Sequence, residues 1–191
     1  MSTYQTLEVA QEGPILHVRL NRPDVRNAFN GVVVDELHAA FLAASDNATA
    51  RVVVLSGNGK SFSAGADLGD NRTHRVNSVD RHLAAVTPRG SDVFNALADH
   101  PKPVVAAING YAIGIGCLIT LCCDILVASD NAELGLPQVP LGIIPAYGGA
   151  VRLARHVGRA NAMEMVLLGQ RIDAAEALDM ISGKLIVSAI Q

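Results

Sequence analysis

Two glycine-containing turns are places where this chain's backbone, rather than its side chains, is arranged to do chemistry. One is Ser63-Ala64-Gly65-Ala66-Asp67, inside KSFSAGADLG (60–69); the other is Gly114-Ile115-Gly116, inside PVVAAINGYAIGIGCLITLCC (103–123). Each follows an apolar, strand-like run and precedes what reads as the first turn of a helix. A helix that starts this way leaves its first N–H groups without intrahelical partners and turns the positive end of its dipole outward. Two such ends converging on one point would make an oxyanion hole, with donors fixed before charge develops on an oxygen.

The elements that must hold these turns in place are legible from hydrophobic spacing. Tyr4 to Val9 and Ile15 to Leu20 read as strands around a Glu12-Gly13-Pro14 turn. From Asn30 a helix is expected, with Val33, Val34, Leu37, Phe41 and Leu42 at helical spacing. Val52 to Leu55, Val104 to Ile108, Ile125 to Ala128 and Glu133-Leu134 read as strands. Asp92 to Asp99, Gly148 to Val157, Ala160 to Leu168 and the run from Asp173 read as helices, and Asp173 with Glu176 has capping-box spacing. Strands alternating with helices predict an α/β fold, and no linker divides the chain. Residues 69–92 are polar and weakly periodic, and read either as a lid-like segment or as a solvated helix-loop.

Composition narrows the function. With 191 residues, 50% hydrophobic, 17% charged and a mean hydropathy of +0.29, the chain buries a full core and is expected to form one domain. A net charge of −3 and 4% aromatic residues give no basic footprint and no stacking platform, which argues against nucleic acid and for a small-molecule partner. The N-terminal residues lack a basic segment followed by an apolar one, and Tyr111 to Cys123 is short of the roughly 20 residues of a membrane span, so a soluble, cytoplasmic protein is expected. Cys117, Cys122 and Cys123 lie in the most apolar stretch and read as reduced core residues; the alternative is a nucleophilic Cys117 near a helix start. His17, His38, His100 and His156 have no metal-ligand spacing, and neither a metal nor a separate cofactor is expected.

Four segments taken in order carry a resemblance: NRPDVRNAFN (21–30), VVVLSGNGKSFSAGADL (52–68), KPVVAAINGYAIGIGC (102–117) with CD (123–124), and LGLPQVPLGIIPAYGGAVRLARHVG (134–158). Together they resemble the enoyl-CoA hydratase/isomerase family of the crotonase superfamily. The resemblance implies a single crotonase-like domain, a spiral of repeated ββα units over about 1–158 with C-terminal helices over about 159–191. It also implies a homotrimer or dimer of trimers and a site that binds acyl-CoA and stabilises a thioester enolate. The family's two oxyanion-hole donors fall on the backbone N–H groups of Ala66 and Ile115, beside Gly65 and Gly114. Its substrate- and CoA-contacting segments fall on Asp24, Val25 and Arg26, on Ala64 and Ala66 to Leu68, and on Gly114. Ile115 stands where the family commonly has glycine, which would narrow the acyl pocket. For Asp67 a helix cap is the alternative to a ligand contact, and for Arg26 an exposed structural role is the alternative to a phosphate contact.

The departures bear on the chemistry. The family's two hydratase glutamates fall on Leu118 and Gln138, and the carboxylate of several isomerases on Ala146, all uncharged here. A positioned acid or base contributes typically 10²–10⁴-fold, so an oxyanion hole alone predicts a slow hydratase, and three readings stay open: an enoyl-CoA hydratase or isomerase using unusual groups, a non-catalytic acyl-CoA-binding relative, or a thioester hydrolase. Tyr147, Glu133, His74, Asp80 and His82 are the groups that could substitute. Beyond Met180 the chain reads ISGKLIVSAIQ, where the family continues with further helices, so a shortened C-terminal part and a less complete CoA pocket are expected.

Overall fold

The computed structural model describes residues 4–69, 88–181 and 185–187. Within them the strands are β1 (Leu7–Glu12), β2 (Ile15–Leu20), β3 (Val52–Gly57), β4 (Ser61–Ser63), β5 (Val104–Ile108), β6 (Tyr111–Ile113), β7 (Ile125–Ala128), β8 (Glu133–Gly135), β9 (Arg171–Asp173) and β10 (Leu185–Val187). The helices are α1 (Gly31–Asp46), α2 (Pro88–Ala98), α3 (Ile115–Thr120), α4 (Gly149–Leu168) and α5 (Ala174–Met180).

The order repeats. β3 and β4 are followed by α2, β5 and β6 by α3, β7 and β8 by α4. In each unit the first strand joins a six-stranded sheet, β1-β2-β3-β5-β7-β10, and the second joins a four-stranded sheet, β4-β6-β8-β9. All pairs are parallel except β1 with β2 and β8 with β9. This is the ββα spiral expected from the sequence. The carboxyl ends of β4, β6 and β8 therefore lie side by side, about 4.8 Å from strand to strand.

Burial explains the large sheet. Val53 and Leu55 of β3, Val104, Ala106 and Ile108 of β5, and Leu126 and Ala128 of β7 are fully buried, alternating along each strand as period-2 side chains must. Helix α1 lays Val33, Leu37, Ala40, Phe41 and Ala44 on that core. Its start is fixed by Asn30, whose Oδ1 accepts the Val33 N–H at 3.0 Å. Asp173 caps α5 in the same way, accepting the Glu176 N–H at 2.8 Å.

Several boundaries differ from the sequence reading. The first strand begins at Leu7 rather than Tyr4, because the tight turn pairs Glu12 with Ile15 and the antiparallel register then runs back to Leu7 and Leu20. α2 is already helical from Pro88, the first residue described after residue 69, whereas the sequence reading began it at Asp92. The two helices read at 148–157 and 160–168 form one element interrupted by the non-helical Gly158, with φ 76° and ψ 167°. Among the described residues no helix is long and apolar enough to cross a membrane.

Candidate functional site

The two glycine turns meet because they leave neighbouring parallel strands. Gly65 follows β4, Gly114 follows β6, and the Gly114 N–H donates to the carbonyl of Gly135 at the end of β8 at 2.8 Å. Gly65 has φ 99°, and a Cβ there would lie 2.8 Å from the Ile113 carbonyl oxygen and 3.8 Å from the Gly114 Cα. Only glycine fits both the conformation and the space. A Cβ on Gly116 would come within 2.7 Å of the Ser63 carbonyl oxygen, so a small residue at that position also lets α3 press against the end of β4.

The Ala66 N–H has a defined direction. Phe29 donates its N–H to Gly65 O at 2.8 Å and accepts the Asp67 N–H at 2.9 Å, which makes Phe29 and Ala66 a parallel bridge. In such a bridge the residue between the two bonded neighbours points its own N–H and C=O the other way. Ile115 is the first residue of α3, ahead of the first intrahelical bond, where an N–H has no helical acceptor. Among the described residues neither N–H has a protein partner. The positive φ that the turn needs falls on Gly114 (57°), not on Ile115, so isoleucine carries no backbone strain here. With only six residues, α3 has a small dipole.

Gln138 lies against this pair of turns. Its Nε2 is 3.8 Å from where a Cβ on Gly114 would sit, and its side chain is 9% exposed. The Gln138 carbonyl accepts the N–H groups of Leu141 at 3.0 Å and Ile143 at 3.1 Å, which fixes its backbone at the start of a 3-10 turn, Val139–Leu141. Among the described residues its Oε1 is buried without a hydrogen-bond partner. Leu118 behaves differently: it is 1% exposed and packed so tightly under Gly149 that a Cβ there would meet its Cδ atoms. Ala146 is half-buried in the loop before α4.

The proposed nucleotide-end residues are also drawn to this place. Ala64 donates its N–H to the Arg26 carbonyl at 2.9 Å, so the segment of Asp24, Val25 and Arg26 runs beside the β4 turn. All three are exposed, Arg26 in a left-handed conformation with φ 52°, and Leu68 is 68% exposed. Asp67 caps a turn, accepting the Gly69 N–H at 3.0 Å, rather than a described helix. It also pairs with Arg22, Nη1 to Oδ2 at 2.9 Å, and Arg22 holds the Ala28 carbonyl at 2.6 Å. Sequence reasoning missed Arg22, and it missed the buried Asn27, whose Nδ2 donates to the carbonyls of Asn58 and Ser61. The signal available was an asparagine within the Pro-containing NRPDVRN run, a residue type that accepts φ 55°.

The family model for enoyl-CoA hydratase/isomerase matches residues 10–186. The chain belongs to the enoyl-CoA hydratase/isomerase family. It is 41% identical over 175 residues to a probable enoyl-CoA hydratase of Rhizobium meliloti, covering 92% of this chain and 66% of that protein. It is 40% identical to the 2,3-dehydroadipyl-CoA hydratase of Escherichia coli, covering 90% of this chain and 65% of that one. The chain thus spans just under two thirds of the length of these curated relatives. Among solved structures it resembles an enoyl-CoA hydratase from Bacillus anthracis with a TM-score of 0.87 and 33% identity, over 97% of this chain and 71% of that one. The fold is the crotonase fold.

Against that family's chemistry, the substitute groups named from sequence divide clearly. His74, Asp80 and His82 lie outside the described residues. Glu133 stands at the far end of β8 from Gly135 and pairs with Arg171 at 3.4 Å, lining a separate cleft of about 430 Å³ with Lys60, Tyr111 and Asp173. Tyr147, with φ 53°, stacks on Phe94 with ring centroids 4.6 Å apart, and burial raises its hydroxyl's pKa. The three cysteines are buried, and desolvation pushes the Cys117 thiol up to about 12 and Cys122 up to about 11. Cys117 is 1% exposed, and a buried thiol held protonated is a poor nucleophile, which favours its reading as a core residue. Among the described residues no group of three or more His, Cys, Asp or Glu is placed to hold a metal.

Proposed function

We propose that this chain binds an acyl-CoA thioester with its carbonyl oxygen between the N–H groups of Ala66 and Ile115, which stabilise the enolate that forms there. The observation that carries this reading is the packing of the Gly65 and Gly114 turns against each other with both following amides unpartnered among the described residues. Donors fixed in advance of the reaction favour the transition state over the ground state. Asp24, Val25, Arg26, Ala64, Asp67 and Leu68 line the CoA end in this reading, and the assembly is a homotrimer or a dimer of trimers in the cytoplasm.

Hydratase turnover is slow, because Leu118, Gln138 and Ala146 offer no carboxylate to move a proton. The full burial of Leu118 favours a second reading, an acyl-CoA-binding or thioester-hydrolysing relative without hydratase activity. Hydration of crotonyl-CoA measured beside the affinity for butyryl-CoA separates them. Binding with slow hydration, increased by Gln138→Glu, is expected; turnover at ordinary enzymatic rates in the native chain excludes the second reading, and no affinity for either thioester rejects the proposal.

A further inference from the structure

We infer, resting on the acyl-CoA reading above, that Ser63 is a positioning residue that sets the amides of Ala66 and Ile115 relative to each other. Ser63 ends β4, whose three residues are all buried, and it is itself 0% exposed. A polar side chain so placed needs partners, and this hydroxyl has two. It donates to the Asn27 carbonyl at 2.8 Å and accepts the Gly65 N–H at 3.2 Å. The serine thus ties the first glycine turn, at its entry, to the segment before α1.

That tie bears on where the Ala66 N–H points. In a trans peptide the C=O and the N–H that follows it are antiparallel, so the Ala66 N–H points opposite to the Gly65 carbonyl, which accepts the Phe29 N–H at 2.8 Å. With its N–H held by Ser63 and its carbonyl by Phe29, Gly65 is fixed on both sides at φ 99°, and so is the peptide that carries the Ala66 N–H. The second turn rests on the same serine. The Gly114 carbonyl accepts the Leu118 N–H at 3.0 Å, which directs the Ile115 N–H out of the end of α3. The next residue, Gly116, lies against Ser63: a Cβ there would come 2.7 Å from the Ser63 carbonyl oxygen, 2.8 Å from its Cβ and 3.1 Å from its Oγ. One buried residue therefore touches both the residue before Ala66 and the residue after Ile115. Two donors serve one oxygen only while their placement is held to about 0.5 Å, and Ser63 is the spacer that holds it.

The test compares the full chain with Ser63→Ala by calorimetric affinity for butyryl-CoA and for S-butyl-CoA, the thioether with a methylene in place of the carbonyl. The native chain is expected to bind butyryl-CoA about tenfold or more tightly than S-butyl-CoA. Ser63→Ala is expected to lose most of that ratio while keeping its affinity for S-butyl-CoA. A ratio that stays as in the native chain overturns the inference and leaves the acyl-CoA reading intact. Equal losses for both ligands overturn it too, since the hydroxyl then supports the fold alone. Hydrogen exchange of the ligand-free native chain, followed by NMR, needs no variant: the Gly65 amide should be protected, and rapid exchange there overturns the inference. A native ratio of about one, or binding of neither ligand, rejects the reading in which the two amides hold the thioester carbonyl, and this inference with it.

Discussion

Ile115 occupies the first position of α3, the place in a helix where proline is best tolerated because its missing N–H has no helical use. Ile115→Pro therefore removes the proposed donor while leaving the helix in place, and Ile115→Ala removes the side chain but keeps the donor. Loss of one such donor costs about 2.7–4 kcal/mol, or 10²–10³ in rate. Any thioester turnover should fall by about that factor in the proline variant and by much less in the alanine one; equal losses would place the oxyanion elsewhere. Cys117 makes a second prediction. Its thiol is raised from an ordinary 9.0 to about 12 by burial, so between those values the folded chain holds a proton that the unfolded chain has lost. The stabilisation is complete below pH 9 and disappears as pH rises toward 12. Thermal unfolding followed from pH 8 to 11 should show a loss of stability that is shallower in Cys117→Ala. Alkylation at pH 8 should leave all three cysteines untouched until denaturant is added.

At the scale of elements, the Arg22–Asp67 pair fastens the segment before α1 to the turn after β4. Both side chains are about four-fifths buried, at 21% and 17% exposure, so the pair lies between an exposed bridge and a desolvated one. Arg22→Ala should destabilise the chain by about 1–3 kcal/mol, a fall in Tm of roughly 2–4 °C per kcal/mol at this length. It should also weaken acyl-CoA binding, since both proposed CoA segments flank the pair; unchanged affinity would separate this brace from the site. That brace also marks the limit of what the sequence discloses. The long strands and helices were legible because burial imposes period 2 on β3 and β5 and period 3.6 on α1, and the two glycine turns were legible because glycine marks conformations that other residues avoid. The four-stranded sheet was harder to see. β4, β6, β8 and β9 have three residues each, too few for any periodicity, and only Glu133-Leu134 was read as a strand. That Gln138 Oε1 is unpaired among the described residues was invisible for a related reason: it depends on which atoms of distant segments reach it.

At the scale of the whole molecule, exposed apolar side chains among the described residues offer a place to test the proposed assembly. Leu141, Ile144 and Val151 are 66%, 62% and 57% exposed, and they lie within eleven residues of chain that also carry Ala146 and the first turn of α4. Apolar side chains scattered singly over a surface need no explanation, whereas several on one short stretch mark a surface for a partner. A net charge of only −3 opposes self-association weakly. If copies of this chain cover that stretch, as proposed for a trimer, its mass by light scattering after size exclusion should be three times the 20.0 kDa of one chain, or six times for a dimer of trimers. Introducing charge with Ile144→Lys and Val151→Lys should shift the mass to that of one chain, because burying two unpaired ammonium groups at a contact costs several kcal/mol. The same variants report on the site as well as the surface, since Ile144 and Gln138 share the loop between β8 and α4. If acyl-CoA affinity falls only when the mass falls, neighbouring copies hold that loop in its binding conformation; a chain that is monomeric from the outset yet binds acyl-CoA would remove assembly from the proposal and leave the two amides sufficient by themselves.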